Sequence, residues 1–258
     1  MEMELDFDFF KEWVKKKLKI DLHAYKEKQL HRRIATVMNS AGVSDLRSYA
    51  ALIEKDQQVR QVFLDYITIN VTEFYRNKEI FEEFETALRE ILVPRFKNLK
   101  IWSAACSIGA EPYSVSMIME RNQIKNSSIL ATDIDDTILR KAKEAKYRET
   151  ELKNVAPSEL TSFFVKNGNE FILSDAIKKR VQFKKHDLLL DPYEKNFHAV
   201  ICRNVTIYFK NEAKNEVYKK INESLEKGGI FFTGATEAIY NPSSFGFRKL
   251  STFLYEKV

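Results

Sequence analysis

The chain has 258 residues, of which 44% are apolar, 31% charged and 12% aromatic. This is a globular composition, and at roughly 100–200 residues per domain the length allows one large domain or two small ones. Seven glycines and five prolines are too few for a collagen-like or long flexible chain.

The small net charge of +5 is unevenly distributed. Residues 11–33 contain nine lysines or arginines and three acidic residues, so this segment has a net charge of +6 and the rest of the chain a net charge of −1. A basic segment on a nearly neutral body indicates an acidic partner more than a generally cationic protein.

Two further features predict the compartment. No apolar run approaches the eighteen residues of a membrane span, and the first residues are acidic where a signal peptide is basic. Cys106 and Cys202 are too few for a disulfide framework. We therefore expect a cytoplasmic protein without direct membrane insertion.

In chain order, residues 1–69 show only helical periodicity and predict an all-helical N-terminal domain. Residues 70–92 are predicted as a linker and connecting helix. Over 93–258 short apolar strands alternate with helices, which indicates an α/β doubly wound parallel sheet with its ligand at the carboxyl ends of the strands. An interruption at about 150–184 predicts a small inserted β-subdomain, and 247–256 predicts a terminal antiparallel hairpin.

The last predicted helix of this region has a glycine stop signal. It runs over 211–226 and is expected to end at Gly228 and Gly229, because glycine commonly follows a helix. The other predicted elements are strands at 99–105, 128–132, 181–184, 197–202 and 229–233, and helices at 111–122 and 135–145.

The strongest local motif is Ile101-Trp-Ser-Ala-Ala-Cys-Ser-Ile-Gly-Ala-Glu-Pro-Tyr-Ser114. An apolar strand leads into small residues and a helix start, where a ligand can lie against the backbone and negative charge is favoured. Only Gly109 stands where a dinucleotide fingerprint has three glycines. The motif is read either as a cofactor loop or as a tight turn without chemical use.

Polar residues follow the next strands. Asp133 ends the second strand, where an acidic side chain commonly binds ribose hydroxyls, whereas Asp135 or Asp136 is expected to cap the following helix. Arg203 and Asn204 follow the strand at 197–202 and either face the ligand crevice or form a surface turn.

A further polar cluster, Thr68-Ile-Asn-Val-Thr-Glu-Phe-Tyr-Arg76, lies at the junction of the two predicted domains. It is either part of a ligand pocket, with Arg76 available to bind a carboxylate, or a linker whose aromatic residues pack the domains. The four histidines share no metal-ligand spacing with the cysteines, so no metal is predicted.

These motifs, in this order, resemble the chemotaxis receptor glutamate O-methyltransferase family. The resemblance also includes three further stretches: Ala131-Thr-Asp-Ile-Asp135, Cys202-Arg-Asn-Val-Thr-Ile-Tyr-Phe209 and Gly228-Gly-Ile-Phe-Phe-Thr-Gly-Ala-Thr-Glu237. The resemblance covers nearly the whole chain. It implies a helical N-terminal domain that docks the receptor, a Rossmann-like S-adenosylmethionine-dependent methyltransferase domain and an inserted β-subdomain.

The resemblance also implies roles for individual residues. Arg76 and Tyr208 are expected closest to the reacting methyl group and the substrate carboxylate. Ala110 replaces the first of two glutamates that the family usually has in the cofactor loop. Glu111 keeps its spacing to Pro112 and is therefore expected to have the cofactor role. The residues expected to contact S-adenosylmethionine are Asn70, Thr72, Arg76, Ala105, Glu111, Asp133, Asp187, Leu188, Arg203 and Asn204.

The implied partner is a cytoplasmic helix of a membrane chemoreceptor, rich in acidic residues. A basic face is expected to dock it through long-range attraction. No stacking platform or groove-reading motif favours nucleic acid. Two alternatives stay open: a methyltransferase for another substrate, and an adaptor that binds the cofactor without chemistry. The docking residues are predicted as Lys15, Lys16, Lys19, Arg32 and Arg33.

Overall fold

The computed structural model describes residues 5–68 and 71–258. They divide into two compact units. The first unit takes the described residues up to Thr68 together with Tyr208–Lys214, and the second takes Val71–Ile207 and Asn215–Val258. Within the described ranges, no helix has the length and apolar character needed to cross a membrane.

The first unit is built from helices that bury an aromatic core. Phe10 and Val14 of the first helix are fully buried, as are Tyr49 of the third and Phe63 of the fourth. The ring of Phe10 stacks on Tyr49 at 5.8 Å and meets Phe63 edge-on at 5.6 Å. The helices are α1 Phe7–Leu18, α2 Glu27–Ser40, α3 Leu46–Lys55 and α4 Gln57–Thr68, with a 3-10 turn at Leu22–Ala24.

The second unit contains a seven-stranded sheet in the order β6-β2-β1-β7-β8-β10-β9. The first five of these strands are parallel, and β10 and β9 close the sheet as an antiparallel hairpin, as predicted. This arrangement confirms the α/β doubly wound fold. The strands are β1 Lys100–Ala104, β2 Ser128–Asp133, β6 Val181–Lys185, β7 Phe197–Cys202, β8 Leu225–Thr233, β9 Phe247–Lys249 and β10 Leu254–Lys257.

Residues 71–92 do not form a separate linker. Helix α5, Lys78–Ala87, continues through a π-turn at Leu88–Leu92 into α6, Val93–Arg95. The buried ring of Phe84 stacks on Phe232 of β8 at 4.9 Å, so this helical run belongs to the core of the second unit. The remaining helices on the main sheet are α7 Ala110–Arg121, α8 Asp136–Glu144 and α11 Asn211–Ser224.

The inserted lobe, which we define as Lys146–Leu173, differs at both ends from the predicted 150–184. Its small sheet has the order β3-β5-β4 and starts earlier, at Lys146. It ends earlier because β6 pairs with β2 in the main sheet. Its elements are β3 Lys146–Tyr147, a 3-10 turn at Glu149–Glu151, α9 Pro157–Phe163, β4 Phe164–Asn167 and β5 Glu170–Leu173, and the short helix α10 Asp175–Lys178 leads on to β6.

The prediction that Gly228 and Gly229 end the last helix is wrong. That helix ends at Ser224, and both glycines lie within β8. The register between β7 and β8 shifts at this point, and Gly228 has a φ of +78°. The glycines therefore allow an irregular backbone within the strand.

Candidate functional site

Buried charged side chains gather where neighbouring parallel strands end. Glu111 lies in the first turn of α7, after β1. Asp133 is the last residue of β2, Asp187 follows β6, and Arg203 follows β7. All four are buried. Because β6, β2, β1 and β7 are adjacent and parallel, their carboxyl ends lie along one edge of the sheet, where open α/β folds bind ligands.

The loop between β1 and α7 has an unusual backbone. Ala105, Ser107 and Gly109 all have positive φ, at 65°, 50° and 85°. A side chain at Gly109 would lie 3.0 Å from the ring of Tyr113, and the positive φ of this residue would strain any other residue type, so backbone and packing both favour glycine. Strained backbone at non-glycine residues persists where its surroundings hold it and is common at ligand sites.

Asp133 holds this loop in place. Its Oδ2 accepts from the N–H of Ser107 at 2.8 Å, and its Oδ1 accepts from the N–H of Asp135 at 3.2 Å. Burial raises the pKa of Asp133 from 3.8 to about 6. Asp135 caps α8 through the N–H of Thr137, which confirms that one of the two following aspartates is a helix cap.

Glu111 and Arg203 form a buried pair beside the loop. Nη1 of Arg203 lies 3.5 Å from Oε2 of Glu111, and Ser103 donates from Oγ to Oε1 of Glu111 at 2.8 Å. Burial raises the pKa of Glu111, and both partners oppose this shift by stabilising the ionised form. Arginine has a usual pKa so high that Arg203 stays charged.

Arg203 also reaches the segment that carries Arg76. Its Nη2 donates to the carbonyl oxygen of Arg76 at 2.8 Å and to Oδ1 of Asn77 at 3.2 Å. The guanidinium lies over the rings of Phe81 and Phe232, with Cζ 5.0 and 4.7 Å from the ring centroids. Arg203 thus links the carboxyl end of β7 to residues 71–77, a role that the sequence did not suggest.

The side chain of Arg76 is half-buried. Its Nη1 donates to the carbonyl oxygen of Val71 at 2.9 Å, and within 5–68 and 71–258 its other N–H groups have no protein acceptor. Thr72 is half-buried in the same segment. Asn70, predicted to bind the cofactor, lies outside the described residues.

Asn204 lies in a tight turn with a φ of 60°. One carboxylate, that of Glu237, receives the backbone N–H groups of residues 204–207 and of Gly234, and also the hydroxyl of Thr206. A side chain at Gly234 would collide with this carboxylate. Sequence reasoning gave Glu237 no role, although this residue ends one of the motifs that carry the family resemblance and follows a strand at the ligand edge.

Asp187 and Leu188 begin the turn after β6. Oδ1 of Asp187 accepts from the N–H of Leu189 at 2.7 Å, whereas Oδ2 is buried without a partner in the described part of the chain. Burial raises the pKa of Asp187. Leu188 is buried. The unsatisfied oxygen is an acceptor at the predicted cofactor edge.

The remaining predicted site residues lie in the first unit. Tyr208 accepts at its carbonyl oxygen from the N–H of Lys26 at 2.9 Å. Lys15 pairs with Asp21 at 2.7 Å, and Arg33 donates to the carbonyl oxygen of Tyr66 and stacks on its ring. Lys16, Lys19 and Arg32 are exposed.

The buried carboxylates at this edge of the sheet fit S-adenosylmethionine. This molecule carries a positive sulfonium, an ammonium group and ribose hydroxyls, and the edge offers Glu111, Asp133 and Asp187 as buried oxygen acceptors. The helix start after the loop and Arg203 balance part of this negative charge. Among the described residues, no group of three or more His, Cys, Asp or Glu side chains could hold a metal ion.

Two family models match the chain. The CheR methyltransferase all-alpha domain matches residues 5–68, and the CheR methyltransferase SAM binding domain matches residues 70–254. Together they cover almost the whole sequence and confirm the family resemblance.

Chemotaxis methyltransferases of several bacteria are similar to this chain over nearly their full length. The chemotaxis protein methyltransferase of Listeria monocytogenes is 37% identical over 258 residues, covering 99% of this chain and 98% of the relative. That of Listeria innocua is 36% identical with the same coverage. Chemotaxis protein methyltransferase 1 of Pseudomonas aeruginosa is 32% identical, covering 92% of this chain and 91% of the relative.

Proposed function

The chain belongs to the CheR methyltransferase family and is an S-adenosylmethionine-dependent methyltransferase, and from this premise we propose which residues perform the transfer and on what partner. The family methylates chemoreceptors on glutamate side chains. The proposed reaction is therefore the formation of glutamate methyl esters on the helices of a membrane chemoreceptor.

The reaction needs orientation more than proton transfer. When bound, S-adenosylmethionine supplies an electrophilic methyl group on a sulfonium. A glutamate with a pKa near ~4.3 is already ionised at neutral pH, so no general base is required. The protein has to hold one carboxylate oxygen in line with the methyl carbon, and such positioning supplies roughly 7–11 kcal/mol in intramolecular reactions.

We assign Arg76 to bind the substrate carboxylate. Its guanidinium is half-buried and still has N–H groups without a protein acceptor in the described ranges. A planar guanidinium can bind a carboxylate through two parallel hydrogen bonds and so fix its orientation. Tyr208 belongs to the first unit, and its role beside the reacting methyl group rests on the family resemblance alone.

The observation that carries this assignment is the chain of contacts from Glu111 through Arg203 to the backbone of Arg76. It fixes the segment of the proposed substrate-binding arginine to the edge where the acceptors for the cofactor lie. The same buried contacts would then position both the methyl donor and the substrate carboxylate.

We assign receptor docking to the first unit. Lys16, Lys19 and Arg32 are exposed there and suit an acidic helix, whereas Lys15 and Arg33 already have partners within that unit. Exposed charges act mainly on the rate of encounter, and salt screens them.

A label-transfer assay tests the proposal. The protein is incubated with methyl-labelled S-adenosylmethionine and membranes that contain chemoreceptors, and receptor-free membranes and the Arg76→Ala variant are controls. We expect label on the receptor that base releases as methanol, and little label with either control. Label that withstands base would indicate a different acceptor group, and binding of the cofactor without any transfer would indicate an adaptor.

A further inference from the structure

The inserted lobe holds the segment of residues 71–77 by its backbone. The N–H of Phe74 donates to the carbonyl oxygen of Glu151 at 2.9 Å. Asn154 donates from Nδ2 to Oε1 of Glu73 at 3.1 Å and to the carbonyl oxygen of Phe74 at 3.3 Å, and Lys153 pairs with Glu73 at 2.7 Å. The lobe therefore contacts the two residues that precede Tyr75 and Arg76.

The side chain of Phe74 is anchored in the lobe. It is fully buried, and its ring meets Tyr147 of β3 edge-on at 4.8 Å and Phe164 of β4 at 5.4 Å. Two strands of the inserted sheet thus form the pocket for this ring. A ring held from two sides has little freedom to shift along the segment.

Tyr75 joins the lobe to the main unit. Its hydroxyl donates to Oε1 of Glu159 in α9 at 2.9 Å, and the same oxygen accepts from Nη1 of Arg121 in α7 at 2.6 Å. The N–H of Tyr75 donates to Oγ of Ser114 at 3.0 Å. Burial raises the pKa of the Tyr75 hydroxyl, so this group stays protonated and remains a donor.

The backbone on either side of Arg76 has positive φ. Tyr75, with a φ of 49°, is strained, because an aromatic residue rarely adopts the left-handed region, whereas Asn77, with a φ of 61°, is a residue type that enters this region more readily. Such a conformation persists only where the surrounding contacts impose it. Tyr75 makes hydrogen bonds to α9 of the lobe and to α7, and its ring meets Phe81 of α5 edge-on at 5.7 Å. Asn77 accepts a hydrogen bond from Arg203.

We propose that the inserted lobe is a positioning element for methyl transfer: through Glu159 and Tyr75 it fixes the strained segment that presents Arg76. Tyr75 and Glu159 are then positioning residues, since neither has to touch substrate or cofactor. This inference rests on the proposed function, because it assumes that Arg76 binds the substrate carboxylate. It follows that a change in the lobe alters turnover at a site formed by other elements.

Three variants of the positioning contact and one control test the proposal. Glu159→Ala removes the acceptor, Glu159→Gln keeps one oxygen acceptor, and Tyr75→Phe keeps the ring but removes the donor. Glu170→Ala is the matched control, because it removes an exposed carboxylate from β5 of the same lobe. Each variant is measured for kcat on receptor membranes, affinity for S-adenosylmethionine, thermal unfolding and hydrogen exchange at Phe74 and Tyr75.

We expect Glu159→Ala and Tyr75→Phe to lower kcat by roughly tenfold or more, since small misplacements of reacting groups can cost up to about a hundredfold. The two amides should exchange faster, and cofactor affinity should change by less than about threefold, which marks a loss in the transition state rather than in ground-state binding. Glu159→Gln should retain most of the activity, and Glu170→Ala should behave like the wild type.

A lower Tm with unchanged kcat and unchanged exchange would overturn the proposal and leave the lobe only a stabilising role. If Glu159→Ala does not fold, Tyr75→Phe decides, because it removes a single oxygen. A wild-type protein that transfers no methyl to receptors would refute the proposed function instead, and the exchange measurement would still report whether the lobe holds the segment.

Discussion

The Nη2 atom of Arg203 lies 2.8 Å from the carbonyl oxygen of Arg76, and its Nη1 lies 3.5 Å from the buried carboxylate of Glu111. One guanidinium therefore joins the first turn of α7, the end of β7 and the segment before α5. A planar group with five donors can make these contacts at once, and its charge is balanced by Glu111.

The first prediction concerns this junction. In Arg203→Lys a single ammonium replaces the planar fork, so Glu111 and the carbonyl of Arg76 cannot both be held. We expect methyl transfer to fall by roughly tenfold or more, because the position of Arg76 is no longer fixed. Steady-state kinetics with labelled S-adenosylmethionine measures this. Arg140→Lys, an exposed site on α8, is the control, and equal rates in the two variants would refute the role of Arg203.

The second prediction concerns the pH dependence of cofactor binding. The pKa of Asp133 is raised from 3.8 to about 6, so folding favours its protonated form, and its contribution to stability is lost as the pH rises through about 6. An ionised carboxylate is the better acceptor for ribose hydroxyls. Affinity for S-adenosylmethionine should therefore increase as the pH rises through about 6.

Titration calorimetry measures the affinity for S-adenosylmethionine across this pH range in the wild type and in Asp133→Asn, and the comparison isolates the contribution of Asp133. The variant should bind more weakly at neutral pH and lack the inflection near pH 6. An inflection that persists in Asp133→Asn would assign the titration to Glu111 or Asp187, whose pKa values are also raised by burial. Unchanged affinity at neutral pH would move the ribose contact to Asp135.

The third prediction concerns Glu237, whose carboxylate satisfies four consecutive N–H groups from Asn204 to Ile207. Glu237→Gln places an amide donor where only acceptors are needed. Leaving a buried polar group unsatisfied costs about 1–3 kcal/mol, or more for a charged acceptor. We expect a lower Tm, by about 2–4 °C for each kcal/mol, and weaker cofactor binding.

Differential scanning calorimetry and cofactor titration check this. Glu226→Gln, a half-buried glutamate of β8, is the matched control. A Tm shift equal to that of the control would show that the turn does not depend on Glu237.

The fourth prediction concerns docking. Reversing the charges of Lys16, Lys19 and Arg32 should slow receptor methylation and reduce its dependence on salt, because long-range attraction is lost. Affinity for S-adenosylmethionine should not change. A triple reversal in the second unit, at Lys125, Lys143 and Lys227, keeps the same net charge and serves as the control. Equal receptor methylation by both triple variants would disprove docking through the first unit.

Much of the fold followed from hydrophobic pattern alone. The alternation of apolar strands with helices identified the parallel sheet, and the terminal hairpin was also correct. The inserted lobe was harder to delimit, since β3 has only two residues and carries almost no periodic signal. Gly228 and Gly229 were misread because a strand irregularity and a helix end use the same residue type.

The candidate site was only partly predictable. Asp133 was predicted because an acidic residue at the end of a buried strand marks the ligand edge of a sheet, whereas Glu111 and Asp187 were predicted from the family resemblance. The contact of Arg203 with Arg76 joins residues 127 positions apart, and that of Asn204 with Glu237 joins residues 33 apart. A local sequence pattern cannot predict such contacts, because they form only when distant segments pack together in the folded chain.

We propose that this chain forms methyl esters on receptor glutamates and that Arg76 binds the substrate carboxylate. Mass spectrometry of receptor peptides after reaction with wild type, Arg76→Lys and Arg76→Ala tests it most directly. We expect one added methyl mass on glutamate residues with the wild type, less with Arg76→Lys and almost none with Arg76→Ala. Methyl groups on other residue types, or equal glutamate methylation by Arg76→Ala, would contradict the account.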